Sequence, residues 1–176
     1  MTTYPARSLA NALLDLAGSA AVDADGAVLP SRPVTGPELS QLVYVAHGFS
    51  LALHRRPLLG ELAVATRDGV YVPSLRAALG AGPATPLRSF DPETGAFAED
   101  PRPPASDAAV HGALRATWAR HARTGPGTTM LDAQGPSSPW THIVRAPGFQ
   151  KGAPIPDDLN ELYFGALAAD EFAGTY

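Results

Sequence analysis

The run LSQLVYVAHGFSLALH, residues 39–54, leaves the fewest choices for how this chain can fold. At 3.6 residues per turn it places Leu39, Leu42, Val43, Ala46, Phe49 and Leu53 on one broad face. Val45, Leu51 and Ala52 carry apolar surface round towards the other side. A helix that is apolar nearly all round has to be enclosed by other elements, so the rest of the chain must supply its shell. Thr35 suits an N-cap and Pro37 a first helical turn, which sets the predicted central helix at Pro37 to His54.

The shell is legible in pieces. Leu9, Ala12, Leu13 and Leu16 recur at three- and four-residue steps with Asn11 and Asp15 opposite them, predicting an amphipathic helix from Ser8 to Ala17 that Gly18 ends. The stretch VDADGAVLPSRPVTGPE then reads as a loop. After the central helix, ELAVATRDGVYVPSL has two β-prone triplets flanking Asp68-Gly69, a strong hairpin signal. Pro73 suits the start of a short helix through Leu75 and Leu79, stopped by Gly80 and Gly82. Residues 80–105 are dense in Pro and Gly and predict a surface excursion, with a second hairpin turning at DPETG.

Ser106 and Asp107 can cap a fourth helix in which Val110, Leu114, Thr117, Trp118 and His121 share a face, and TGPGTT ends it. The segment TMLDAQG is ambiguous, and PSSPWTHIVRAPGFQKGAPIP reads as a loop. A last helix follows in DDLNELYFGALAADEF, with Asp157 and Asp158 at its positive end and a tail over residues 170–176. The predicted fold is mainly α: a single compact helical domain, residues 1–176, around a central buried helix with one or two small β-hairpins.

Size and charge remove several function classes. A chain of 176 residues suits one domain with a real core, and 45% hydrophobic against 17% charged residues fits a globular protein. With 13 Lys and Arg against 17 Asp and Glu, no global field would hold it on nucleic acid. There is no Cys, so thiolate nucleophiles and thiolate metal sites are excluded. No apolar run is long enough for a membrane span, and the N-terminal residues lack a signal peptide's continuous apolar core, so the expectation is a cytoplasmic protein.

The candidate chemical sites are weak one by one. His47 and His54 lie two turns apart, unlike a helical metal pair, so no metal and no cofactor is expected. There is no Gly-x-Ser-x-Gly elbow, and GAGPATP and TGPGTT lack the Lys of a phosphate-binding loop. Carboxylates cluster at DPETGAFAED and IPDDLNE, where a solvated loop and a helix N-terminus account for them. The pair Arg55-Arg56 follows a helix C-terminus, where cations are favoured. A hydrolase or transferase would need His47 or His142 beside a carboxylate in one pocket. Trp140, next to Pro139, must either tuck under the core or present a large surface to a partner.

Several stretches together carry a resemblance. SLANALLDLA, LSQLVYVAHGFSLAL, RPLLGE, GVYVPSLRAAL, SPW and IPDDLNELYFGAL resemble, in this order and over nearly the whole chain, the Panacea domain, a phage-associated family of antitoxins and proteolytic adaptors. Leu39, Leu42, Tyr44, Ala46, His47, Gly48, Leu51, Ala52, Pro57, Leu58, Gly69, Val72, Pro73 and Leu75 fall on the family's marked places. Ser40-Gln41 and Thr66 to Val70 depart from its pattern.

The resemblance implies an interaction module without a catalytic residue: an antitoxin that neutralises a co-encoded protein toxin by direct complex, or an adaptor that delivers the toxin to a protease. It makes Leu42, Tyr44, Ala46, His47, Gly48 and Pro73 a structural signature, with His47 as scaffold. Partner choice is expected where the chain leaves the family pattern, from Arg67 to Tyr71, joined by Trp140 and Phe149, since Arg and aromatic residues are the usual anchors of interfaces.

Overall fold

The cap anticipated for the central helix is in place. In this computed structural model, which describes residues 2–19, 26, 28 and 31–172, α1 spans Ala6–Gly18 and α2 Gly36–His54. The Thr35 hydroxyl oxygen accepts from the Glu38 N–H, and the Glu38 carboxylate accepts from the Thr35 N–H at 2.8 Å. This reciprocal capping box satisfies N–H groups that a helix start leaves without partners. At the other end Arg55 takes the left-handed conformation (φ 49°) and its N–H bonds the Leu51 carbonyl.

The remaining elements are β1 (Val64–Thr66), β2 (Gly69–Tyr71), α3 (Pro73–Ala78), β3 (Arg88–Asp91), β4 (Ala96–Glu99), α4 (Ala108–Thr124), α5 (Pro126–Gln134), α6 (Pro139–Arg145), β5 (Ala153–Pro154) and α7 (Asp157–Phe172). The fold is mainly α with two small antiparallel sheets. Helices α1, α4, α5 and α7 pack round α2, and Leu39, Leu42, Val43, Tyr44 and Ala46 are completely buried. Leu53, expected in that core, is instead 42% exposed. Residues 53–55 are all exposed, because the last turn of α2 stands clear of its neighbours.

Two helices lie where the sequence reads otherwise: α5 covers the end of the breaker TGPGTT and the ambiguous TMLDAQG, and α6 lies in the stretch read as a loop. Ser138 caps α6, its hydroxyl accepting from the Thr141 N–H, and Pro139 takes the first helical position. Pro126 does the same for α5 after Gly125. Each proline therefore opens a helix, its missing N–H costing nothing where no acceptor waits. The segment after α6 contributes β5, which extends the first hairpin to a three-stranded sheet in the order β2-β1-β5. The last helix continues through the start of the expected tail to Phe172, and residues 173–176 lie outside the described residues, as does most of 20–30.

The second hairpin stands on the polar stripe of α1. Arg7 donates to Asp100 and to the Arg88 carbonyl, and Asp15 accepts both arms of Arg102. Between them buried Asn11 donates to the Leu87 and Asp100 carbonyls and accepts from the Leu87 N–H at 2.7 Å. Its amide thus bridges both strands at the neck of the excursion, as an extra peptide group would. Beyond the neck, Phe90 and Phe97 pair across the strands, 55% and 61% exposed.

Arg56, just after α2, grips Asp107, the N-cap of α4, with both guanidinium arms, and Tyr4 donates to the same carboxylate. These hydrogen bonds from Arg56 and Tyr4 hold the Asp107 carboxyl far below the usual carboxylate range.

Candidate interaction surface

Arg67 and Tyr71 belong to the first hairpin, Trp140 bonds to it, and Phe149 lies in the segment between α6 and β5. Arg67 and Asp68 form the exposed turn between β1 and β2, and Thr66 pairs with Gly69 across it. Gly69 has φ 139°, a conformation that side chains resist, and a Cβ there would lie 2.5 Å from the Gln134 side chain of α5. The Thr66 hydroxyl donates to the Gly69 carbonyl and accepts from the Asp68 N–H, which tightens the turn. Trp140 of α6 donates its indole N–H to the Thr66 carbonyl at 2.7 Å. The ring is half-buried: it fastens the hairpin and still shows an edge to solvent.

Tyr71 lies at the far end of β2, opposite Val64, with the Arg76 guanidinium 4.1 Å above its ring centroid. Phe149, between α6 and β5, packs half-buried against the core. The structure thus joins Trp140 to the root of the Arg67 turn and sets Tyr71 a strand length away.

The signature residues of α2 meet α7. Tyr44 donates to Asn160 Oδ1 at 2.7 Å, both side chains buried, and burial pushes the Tyr44 phenol well above its ordinary pKa, keeping it a donor. His47 Nε2 donates to Asp157 at 3.0 Å, while Nδ1 accepts from the Leu58 and Leu59 N–H groups at 3.2 and 3.3 Å. These partners assign the proton to Nε2. Gly48 is where Phe164 rests: a Cβ there would fall 2.1 Å from the ring, which also stands edge-on to Tyr44 and Phe49. Asp157, Asn160 and Phe164, at steps of three and four, are the residues that the sequence alone did not connect with α2; their shared helix face is the signal that could have found them.

A carboxylate therefore is in reach of His47, but the His47 side chain is 2% exposed and both ring nitrogens are engaged. His142 is exposed on α6, beside Arg145 at a shallow groove, with no carboxylate in hydrogen-bond reach among the described residues. A third histidine, His121, is buried between α4, α5 and the segment before α2. Its Nδ1 donates to the Thr129 hydroxyl and its Nε2 accepts from Arg32, each at 2.6 Å. Burial, and then the Arg32 charge, lower its pKa to about 4.

The chain matches no protein-family model, no curated protein and no solved structure. Among the described residues there is no group of three or more His, Asp or Glu able to hold a metal ion, and no helix long and apolar enough to cross a membrane.

Proposed function

We propose that the chain is a cytoplasmic antitoxin of the Panacea kind, which neutralises a co-encoded protein toxin by direct complex. One observation carries the reading. Two of the stretches that carry the resemblance, LSQLVYVAHGFSLAL and IPDDLNELYFGAL, interlock through Tyr44–Asn160, His47–Asp157 and Gly48–Phe164. A signature whose polar members, Tyr44 and His47, find their partners inside the molecule has the character of a scaffold, and a scaffold leaves function to its surface.

The proposed partner face is the first sheet, built on the exposed Arg67 turn and Tyr71, with Trp140, which bonds the hairpin, and Phe149 joining it. Such a face is expected to bury about 1,200 to 2,000 Å² in total with its partner. The test is to co-express the protein with the product of the adjacent gene, measuring growth rescue and a purified complex. Rescue with a complex that Arg67→Ala and Tyr71→Ala weaken supports the reading. A neighbour that is not toxic, or rescue with no complex, contradicts it.

The adaptor reading is favoured by a separate feature, the outward Phe90–Phe97 pair on β3–β4, which offers the second surface an adaptor needs. If Phe90→Ser with Phe97→Ser leaves toxin binding intact but abolishes toxin degradation in cells, delivery to a protease is the mode of action.

A further inference from the structure

We infer that the cavity between α2, β2 and α3 is a binding site for a small aliphatic carboxylic acid. It goes beyond the antitoxin reading and concerns the isolated protein. The cavity, about 200 Å³, is walled by Pro37, Leu75, Leu79 and the Gly80–Ala81 backbone, with Ser40, Tyr71 and Arg76 as its polar members. That volume is below the range of about 300 to 1,000 Å³ usual for drug-sized ligands, and suits a stem the size of one branched side chain.

Two polar groups at the cavity keep hydrogen-bonding capacity for a ligand. Ser40 is 7% exposed and its hydroxyl has no hydrogen-bond partner. A buried hydroxyl left unpaired is unfavourable, and a ligand oxygen would relieve it. Arg76 has no carboxylate partner among the described residues, and its guanidinium is steadied over the Tyr71 ring. A guanidinium already held over an aromatic face loses less freedom on taking a carboxylate through paired N–H groups. The helix start itself is not the attraction, because Thr35 and the Gly82 carbonyl already occupy its N–H groups. Apolar walls, a cation at the rim and a spare hydroxyl together specify a branched aliphatic stem ending in a carboxylate.

This chemistry has two sources, a free acid or the C-terminal residue of a peptide. Titrating the labelled protein by NMR at neutral pH with 4-methylpentanoate, with its neutral amide, and with an acetylated tripeptide ending in Leu with a free carboxylate separates them. The expected result is saturable shifts at Ser40, Tyr71 and Leu79 with the acid, and binding of the amide weaker by about ten-fold or more. Equal or tighter binding of the tripeptide assigns the site to a chain end; binding of the acid alone assigns it to a free metabolite-sized acid. Arg76→Gln, at an exposed position that leaves the fold intact, is expected to weaken the acid about ten-fold, and Ser40→Ala less. No saturable shift with either carboxylate, or an affinity unchanged in Arg76→Gln, overturns the proposal.

Discussion

The two hairpins are of similar length and are built on opposite terms. β1–β2 is absorbed by its surroundings: β5 pairs with one edge, Gln134 packs on Gly69, and Trp140 bonds the turn. Among the described residues, the side-chain hydrogen bonds that tie β3–β4 to α1 gather at its neck, on Arg7, Asn11 and Asp15, and its two phenylalanines pair edge-on across the strands. A two-stranded ribbon is marginal in water by itself, so each must borrow stability. The first borrows it along its whole length, which makes a firm face with one exposed turn. The second borrows it at its base, which leaves an aromatic tip free to meet something else.

The largest expected effect comes from cutting the neck. Asn11→Ala leaves the Leu87 N–H and the Asp100 carbonyl without their buried partner and should cost about 3 kcal/mol. Urea denaturation measures the loss, and amide exchange should quicken over 88–99 before 64–71. Equal quickening in both would mean that the hairpins share one support.

Acid tests the frame beneath both. His121 has a folded pKa of about 4 against an ordinary 6.5, so between these values the unfolded chain takes up a proton that the folded chain refuses. Stability is complete above pH 6.5 and falls as pH drops towards 4, by an order of about 3 kcal/mol. Both hairpins should loosen together, and His121→Gln should flatten the slope between pH 7 and 4.5. A slope unchanged in that variant would place the acid sensitivity elsewhere.

Glycine substitutions read the contrast more finely. Gly69→Ala, at φ 139° against Gln134, should cost about 2 kcal/mol, whereas Gly95→Ala, at φ 67° with open space round it, should cost about 1. A reversal of that order in thermal denaturation would mean that the second turn is the tighter. The smallest effect is expected from Phe90→Ser with Phe97→Ser, within about 1 kcal/mol, because both rings are more than half exposed and the ring contact shown for them is their own edge-on pair. A large loss would show that the tip packs against the body.

The difference between local and distant ties also sets how much of the fold is legible in the sequence. Both hairpins are legible from turn chemistry that acts within a few residues, DPETG for the second and Asp68-Gly69 for the first, although the first turns one residue earlier, at Arg67-Asp68, with Gly69 already paired in β2. The central helix is equally so, since its cap and its apolar run are local, and all five residues expected on one face of α4 are buried. Leu53 fails because periodicity reports a face and not where the neighbours end. Helices α5 and α6 are missed because Gly-Pro and Ser-Pro serve equally as loop or as helix opening, and only the residues beyond the proline decide between them. Asn11 and the Asp157 partner of His47 are missed for a different reason: their partners lie 76 to 110 residues away, and a shared face such as that of Asp157, Asn160 and Phe164 marks a packing surface without naming what packs on it. Of the candidate face, Arg67 at an exposed turn is readable in the sequence, and the tie from Trp140 to Thr66 is not.

The most direct test of the proposed face is amide hydrogen exchange on the protein alone and in complex with the product of the neighbouring gene. Slower exchange is expected at Arg67, Asp68 and the outer edge of β2, extending to residues 140–149, with 88–99 unchanged. Slowing confined to 88–99, with the Arg67 turn exchanging as in the free protein, would contradict it.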